Sequence, residues 1–223
     1  MRMSWKTEVF SWSVVAAMFA AAAWAWGRVP ERIPVHWNAA GEVDGYGGRF
    51  MGLLLIPLVT LGMHLLFMTL PAIDPCRSNY AGFANVYAIF RSAILAFMGA
   101  VYAATTLVAL GHRVDMARLI AVSLGLLFIV LGSCLDRVRP NWFVGIRTPW
   151  TLSSRLSWTK THRVGGWLFV ASGMATLLCG VVRPAWGVFV MLGTILPGTV
   201  AMTAYSYVVW RDDPDRVKTP GPS

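Results

Sequence analysis

Two polar stretches of this 223-residue chain carry nearly all of its side chains suited to recognition chemistry. The first, IPVHWNAAGEVDGYG, holds His36, Asn38, Gly41, Glu42 and Asp44. An imidazole with two carboxylates and an amide could converge on a cation or a polar ligand. However, one His with scattered acids lacks the spacing of a defined metal site. Pro30 and Pro34 impose extended backbone, while Asn38, Gly41 and Asp44–Gly45 are turn residues, so turn formation is the favoured use of these residues. The other stretch, residues 141–166, reads NWFVGIRTPWTLSSRLSWTKTHRVGG. Six of the chain's 19 basic residues fall between Arg137 and Arg163. Arg147 is a planar, fork-shaped donor suited to a carboxylate or phosphate. Gly145 and Pro149 predict an ordered, non-helical excursion through residues 141–152, followed by a helix capped by Ser153 or Ser154. On that helix Ser154, Trp158 and His162 share one stripe, and Arg155, Thr159 and Arg163 share the next. A basic helix lying on anionic lipid and a docking surface for an acidic partner are the two uses of such a face.

The elements that must hold these stretches are apolar. The chain is 57% hydrophobic and 13% charged, with mean hydropathy +0.59, which marks an integral membrane protein. Six segments approach the roughly 20 residues that cross a bilayer, near residues 9–26, 51–70, 86–110, 119–135, 165–182 and 186–210. They must be helices, because lipid cannot satisfy a backbone amide. The first resembles a secretory signal in its Arg2, Lys6 and alanine-rich core, but its length, its Trp12, Trp24 and Trp26, and five following spans mark a retained helix. With the N-terminus inside, twelve of the 19 basic residues lie on the inner side and six on the outer. Both termini and the Asn141–Gly145–Arg147 stretch are therefore expected in the cytoplasm. Small-residue faces at Ala16–Ala17–Ala20–Ala21 and Gly99–Ala103 suit close helix packing. Pro57 and Pro197–Gly198 interrupt two helices, and the last 13 residues, rich in Pro and charge, are expected to be disordered.

The net charge of +9 fits headgroup contact and does not call for direct nucleic-acid binding. Cys76, Cys134 and Cys179 form no paired motif, and no cofactor or metal is implied. A Ser/His/Asp set, an HExxH pair and a phosphate-cradling Gly loop are all missing from the sequence, so the chain does not read as an enzyme. His64 in the span near 51–70 and Arg91 in the span near 86–110 are ionisable groups inside the membrane region. With no carboxylate in the spans, they make a thin basis for the alternative function, a small transporter or proton-coupled channel using His64.

Both polar stretches resemble the SdpI family of bacterial membrane immunity proteins. The outer stretch is similar to that family's N-terminal domain motif, matched by His36, Asn38, Gly41 and Asp44. The cytoplasmic stretch is similar to its C-terminal motif, matched by Asn141, Gly145, Arg147, Thr148, Pro149, Trp150, Trp158, His162 and Gly165; Arg163 extends its basic face. The resemblance implies an all-α protein of the bacterial inner membrane with six spans. It divides the chain into 1–70 (two helices with the outer loop), 71–210 (four helices with the cytoplasmic loop) and the tail 211–223. It further implies self-protection against a secreted toxic peptide outside, and in some members a regulator protein held at the membrane inside. Arg155 departs from the acidic residue usual after the serine pair, which makes this face more basic.

Overall fold

The computed structural model describes residues 5–216. Six helices among them are long and apolar enough to cross a membrane. They are α1 (Trp5–Ala25), α2 (Arg49–Ile73), α3 (Ala84–Ala109), α4 (Met116–Cys134), α6 (Arg155–Val182) and α7 (Gly187–Arg211), with a one-turn helix α5 (Pro149–Ser153) between α4 and α6. Between α1 and α2 the chain forms a hairpin of β1 (Arg32–Trp37) and β2 (Val43–Gly48). The 165–182 span and the basic helix before it are one continuous helix, α6. The stretch expected to be non-helical contains a helical turn, α5. Pro149 opens it at the position where a missing N–H costs nothing.

Helices α1, α2 and α3 pack together, α4, α6 and α7 pack together, and α3 joins the groups through α4. Two apolar cores form at opposite ends. At the hairpin end Met18, Ala22, Ile33, Leu53, Tyr102 and Ala109 meet. At the other end Tyr80, Phe83, Tyr87, Phe90, Leu135 and Trp158 meet. The expected alanine face of α1 is not the packed one. Ala16, Ala17 and Ala20 are exposed, while Val15, Met18, Ala22 and Ala25 point inward and Ala21 is partly buried against the hairpin-end core. Helices α4 and α6 approach each other closely. A Cβ on Gly132 would stand 2.7 Å from the carbonyl oxygen of Gly166, and one on Gly125 2.8 Å from that of Gly173. Glycine at seven-residue spacing thus lets two backbones touch.

Both prolines expected to interrupt helices sit inside continuous ones, Pro57 in α2 and Pro197 in α7. Residues 212–216 of the expected disordered tail instead turn back on the bundle, with Asp213 buried and Arg216 stacked 4.9 Å over the Trp210 ring. The remainder of that tail, 217–223, lies outside the described residues, as do Arg2 and Lys218 of the charge count.

Candidate functional site

The NWFVGIRTPW stretch is a compact knot at the end of the bundle opposite the hairpin. Asn141 is its pivot. Its Oδ1 accepts the backbone N–H groups of Phe143 (2.9 Å) and Val144 (2.6 Å), and its Nδ2 donates to the carbonyls of Arg139 and Val144 (both 2.9 Å). A buried amide with all its capacity used holds one backbone path. Asp74, at the end of α2, ties the knot to the first three helices. Its Oδ2 accepts from Trp142 N (3.0 Å) and from the Tyr80 hydroxyl (2.9 Å), and its Oδ1 accepts from Cys76 N (2.7 Å).

Gly145 has φ +110°, and a Cβ there would fall 2.3 Å from His162 Nε2. Only glycine permits both that backbone and that approach. The Ile146 N–H donates to His162 Nε2 at 3.0 Å. Because that nitrogen accepts, Nδ1 carries the proton and donates it to the Trp158 carbonyl at 2.8 Å. Trp158 stacks on the imidazole with centroids 4.0 Å apart and donates its indole N–H to Val138 O at 2.8 Å. Thr148 caps α5 reciprocally with Thr151 and meets the Ser206 hydroxyl at 2.9 Å. Ser154 caps α6, accepting from Ser157 N at 2.9 Å and donating to Asp213 Oδ2 at 2.5 Å. Asn141, Thr148, Trp158 and His162 are therefore buried; they build the knot and do not face a partner.

What the knot presents is different. Arg147 is exposed and steadied by one bond, from Nη1 to the Trp142 carbonyl at 2.9 Å; Trp142 is itself exposed. Trp150 is half-buried and meets Tyr207 edge-on. Arg155, Thr159 and Arg163 all face outward, and Arg163 lies over the exposed Trp167 ring. Beside them runs a groove of about 830 Å³, lined in part by Asn79, Arg139, Ser153, Arg155 and Asp215. Fixed cations beside exposed aromatic rings can bind acidic groups or lipid phosphates.

At the hairpin end the outer motif resolves into one cross-strand pair and one pair across the turn. His36 Nδ1 meets Asp44 Oδ1 at 2.5 Å, and Asn38 Nδ2 donates to Glu42 at 3.0 Å. Asn38 Oδ1 also accepts from Ala40 N and Glu42 N (both 3.0 Å), closing the turn. Gly41, at φ +83°, rests on the start of α4, where a Cβ would meet Ala117 N at 2.9 Å. Asn38 and Gly41 shape the turn, and His36 and Asp44 are displayed on it. The structure thus keeps the two predicted groups apart, one at each end of the helices.

Three groups escaped the sequence reading. Asp74 and Asp213 are buried anchors of the knot; a lone carboxylate closing an apolar run was the available sign of Asp74, while Asp213 stands between Asp212 and Asp215 with nothing local to single it out. The third is Glu8, which pairs with Arg91, so the spans do hold a carboxylate.

Residues 14–61 match a domain of unknown function, DUF1648, and residues 137–206 match the SdpI/YfhL protein family. The DUF1648 match takes in the hairpin, and the SdpI/YfhL match takes in the knot with α5 and α6. Over 202 residues the chain is 23% identical to the immunity protein SdpI of Bacillus subtilis (strain 168), covering 91% of this chain and 95% of that protein. No solved structure matches. The resemblance to the SdpI family carried by the two loops is borne out by these matches.

Proposed function

From its likeness to SdpI-family membrane proteins, we propose that this chain is a non-enzymatic immunity protein of the bacterial inner membrane. It protects the cell from a secreted toxic peptide, or reports an envelope signal by holding a regulator protein at the membrane. The hairpin with His36 and Asp44 faces outward and meets the peptide. The knot faces the cytoplasm, in keeping with the bias of basic residues toward that side, and rests among anionic headgroups through Trp142, Trp150 and its cations.

The observation that carries this reading is the exposed Arg147 on a knot held together by the buried Asn141, Thr148, Trp158 and His162 of the same motif. An exposed side chain steadied by a single bond to the Trp142 carbonyl, on a frame that fixes its position, is an economical way to display a cation to an acidic partner. The Arg139–Arg155 groove beside it extends the same surface.

Survival of a sensitive bacterium exposed to secreted toxic peptides tests the reading. Cells carry the wild-type chain, Arg147→Ala or an empty vector, with membrane levels matched by blot. Protection by the wild type and its loss in Arg147→Ala is the expected result. No protection by the wild type against any peptide overturns immunity, and full protection by Arg147→Ala overturns the role of Arg147.

A further inference from the structure

The chain has two fully buried histidines, and they are treated in opposite ways. His162 uses both ring nitrogens, one toward Trp158 O and one toward Ile146 N. His64, with no exposed surface, has no hydrogen-bond partner among the described residues at either nitrogen. Buried polar groups are nearly always paired, so an exception calls for a use. Trp12 of α1 meets the ring edge-on at 4.7 Å. Among the described residues, the charged groups within electrostatic reach are Glu8 of α1 and Arg91 of α3. These two form an ion pair, with the Arg91 side chain fully buried and that of Glu8 23% exposed. Glu8 spends one oxygen on Arg91, while Oε2 is buried and has no hydrogen-bond partner among the described residues.

Place and charge give this cluster its meaning. His64 stands nine residues before the end of α2, and Arg91 seven residues after the start of α3. At 1.5 Å per residue both lie roughly 10–14 Å in from the knot end of their helices. That depth is within the hydrocarbon of a bilayer about 30 Å thick. With His64 neutral, Glu8 and Arg91 cancel and the site carries no net charge. It therefore holds an unused proton acceptor, a resident anion and a resident cation, all where ionisable groups are expensive to keep.

We propose that Glu8, His64 and Arg91 form an intramembrane proton-binding site: His64 takes up one proton, and Glu8 serves as the countercharge. The proton comes from water at the knot end, where Glu8 lies in the first turn of α1. Uptake turns the neutral imidazole into an imidazolium and leaves a net charge of +1 among three helices. Arg91 then repels the new cation, and Glu8 is drawn between two positive partners. The link between α1 and α3 made by Glu8 and Arg91 is thereby weakened, so proton occupancy is coupled to helix packing. This site is separate from the knot and its Arg147, and its test does not depend on protection from any peptide.

The full chain, labelled with ¹⁵N-histidine and held in lipid nanodiscs, has four histidines to observe. The ring signal missing from His64→Gln identifies the residue. It is expected to pass reversibly from the neutral to the imidazolium form as the pH falls from about 8 to about 4. Glu8→Gln removes the countercharge and is expected to weaken proton binding about tenfold or more. Circular dichroism establishes that each sample is folded. Should Glu8→Gln not fold, Glu8→Asp withdraws the carboxylate by one methylene and moves the titration in the same sense by a smaller amount. A His64 signal that stays neutral down to the acid limit of the folded protein overturns the site. So does a titration that neither Glu8 variant moves.

Discussion

His162 and Arg147 belong to one motif and stand in opposite relations to the fold. His162→Ala leaves the Ile146 N–H without its acceptor, a loss of about 1–3 kcal/mol, and lowers the thermal unfolding midpoint in detergent. Gly145→Ala meets both a positive φ and the imidazole, so it costs more than about 1 kcal/mol. Part of that cost is the clash, so the two changes together destabilise less than their sum, with a coupling of about 0.5–3 kcal/mol. Strict additivity in the double-mutant cycle would sink the contact as described. Arg147→Ala, by contrast, leaves the stability within about 0.5 kcal/mol of the wild type. The sequence showed where the motif lies and which residues share a helical stripe. It did not show that the Ser154–Trp158–His162 stripe turns inward, because spacing fixes which side chains share a face and not what that face meets. Glu8 was lost for a related reason. Its partner lies 83 positions away in α3, and no local pattern joins them.

Among the elements, α4 and α6 are held by absence of side chains. Gly125 and Gly132 face Gly173 and Gly166, and Gly180 meets the Ala121 Cβ, which would lie 2.7 Å from an added methyl. Gly132→Leu or Gly166→Leu must push two backbones apart, and the expected result is a chain that unfolds at markedly lower temperature or fails to accumulate in the membrane. Gly62→Ala and Gly193→Ala are the controls, since a Cβ at either meets nothing within 4 Å. They remove a poor helix former and leave stability unchanged or raised by up to about 1 kcal/mol. Equal loss in both sets would show that the seam is not what the glycines serve. All six long helices were legible in the sequence to within a few residues, save that α6 starts ten residues earlier than its apolar run, because its first turns are polar and caps, not hydropathy, mark its beginning. The seam was not legible as such, since Ala16, Ala17 and Ala20 are equally small yet lie on the outside.

At the scale of the molecule, the hairpin and the knot occupy the two ends of the bundle, and their sidedness is open to direct measurement. In a chain freed of Cys76, Cys134 and Cys179, Tyr46→Cys and Lys160→Cys each add one exposed thiol. A maleimide that cannot cross membranes is expected to label Tyr46→Cys in intact cells and Lys160→Cys only after permeabilisation; the reverse pattern would invert the orientation. The knot also sets a schedule for assembly. Its outer stitches run from Thr148 and Ser157 to Ser206 and from Ser154 to Asp213, across 49–59 positions of chain. At ribosomal speeds of about 5–20 residues per second, Thr148 leaves the tunnel on the order of 3–12 s before Ser206 follows. For that interval the hydroxyls at the start of α6 wait without their far partners, and only the arrival of α7 closes them. A chain stalled before its last helix therefore exposes an unfinished knot at the membrane surface, where surveillance proteases can tell it from the completed protein.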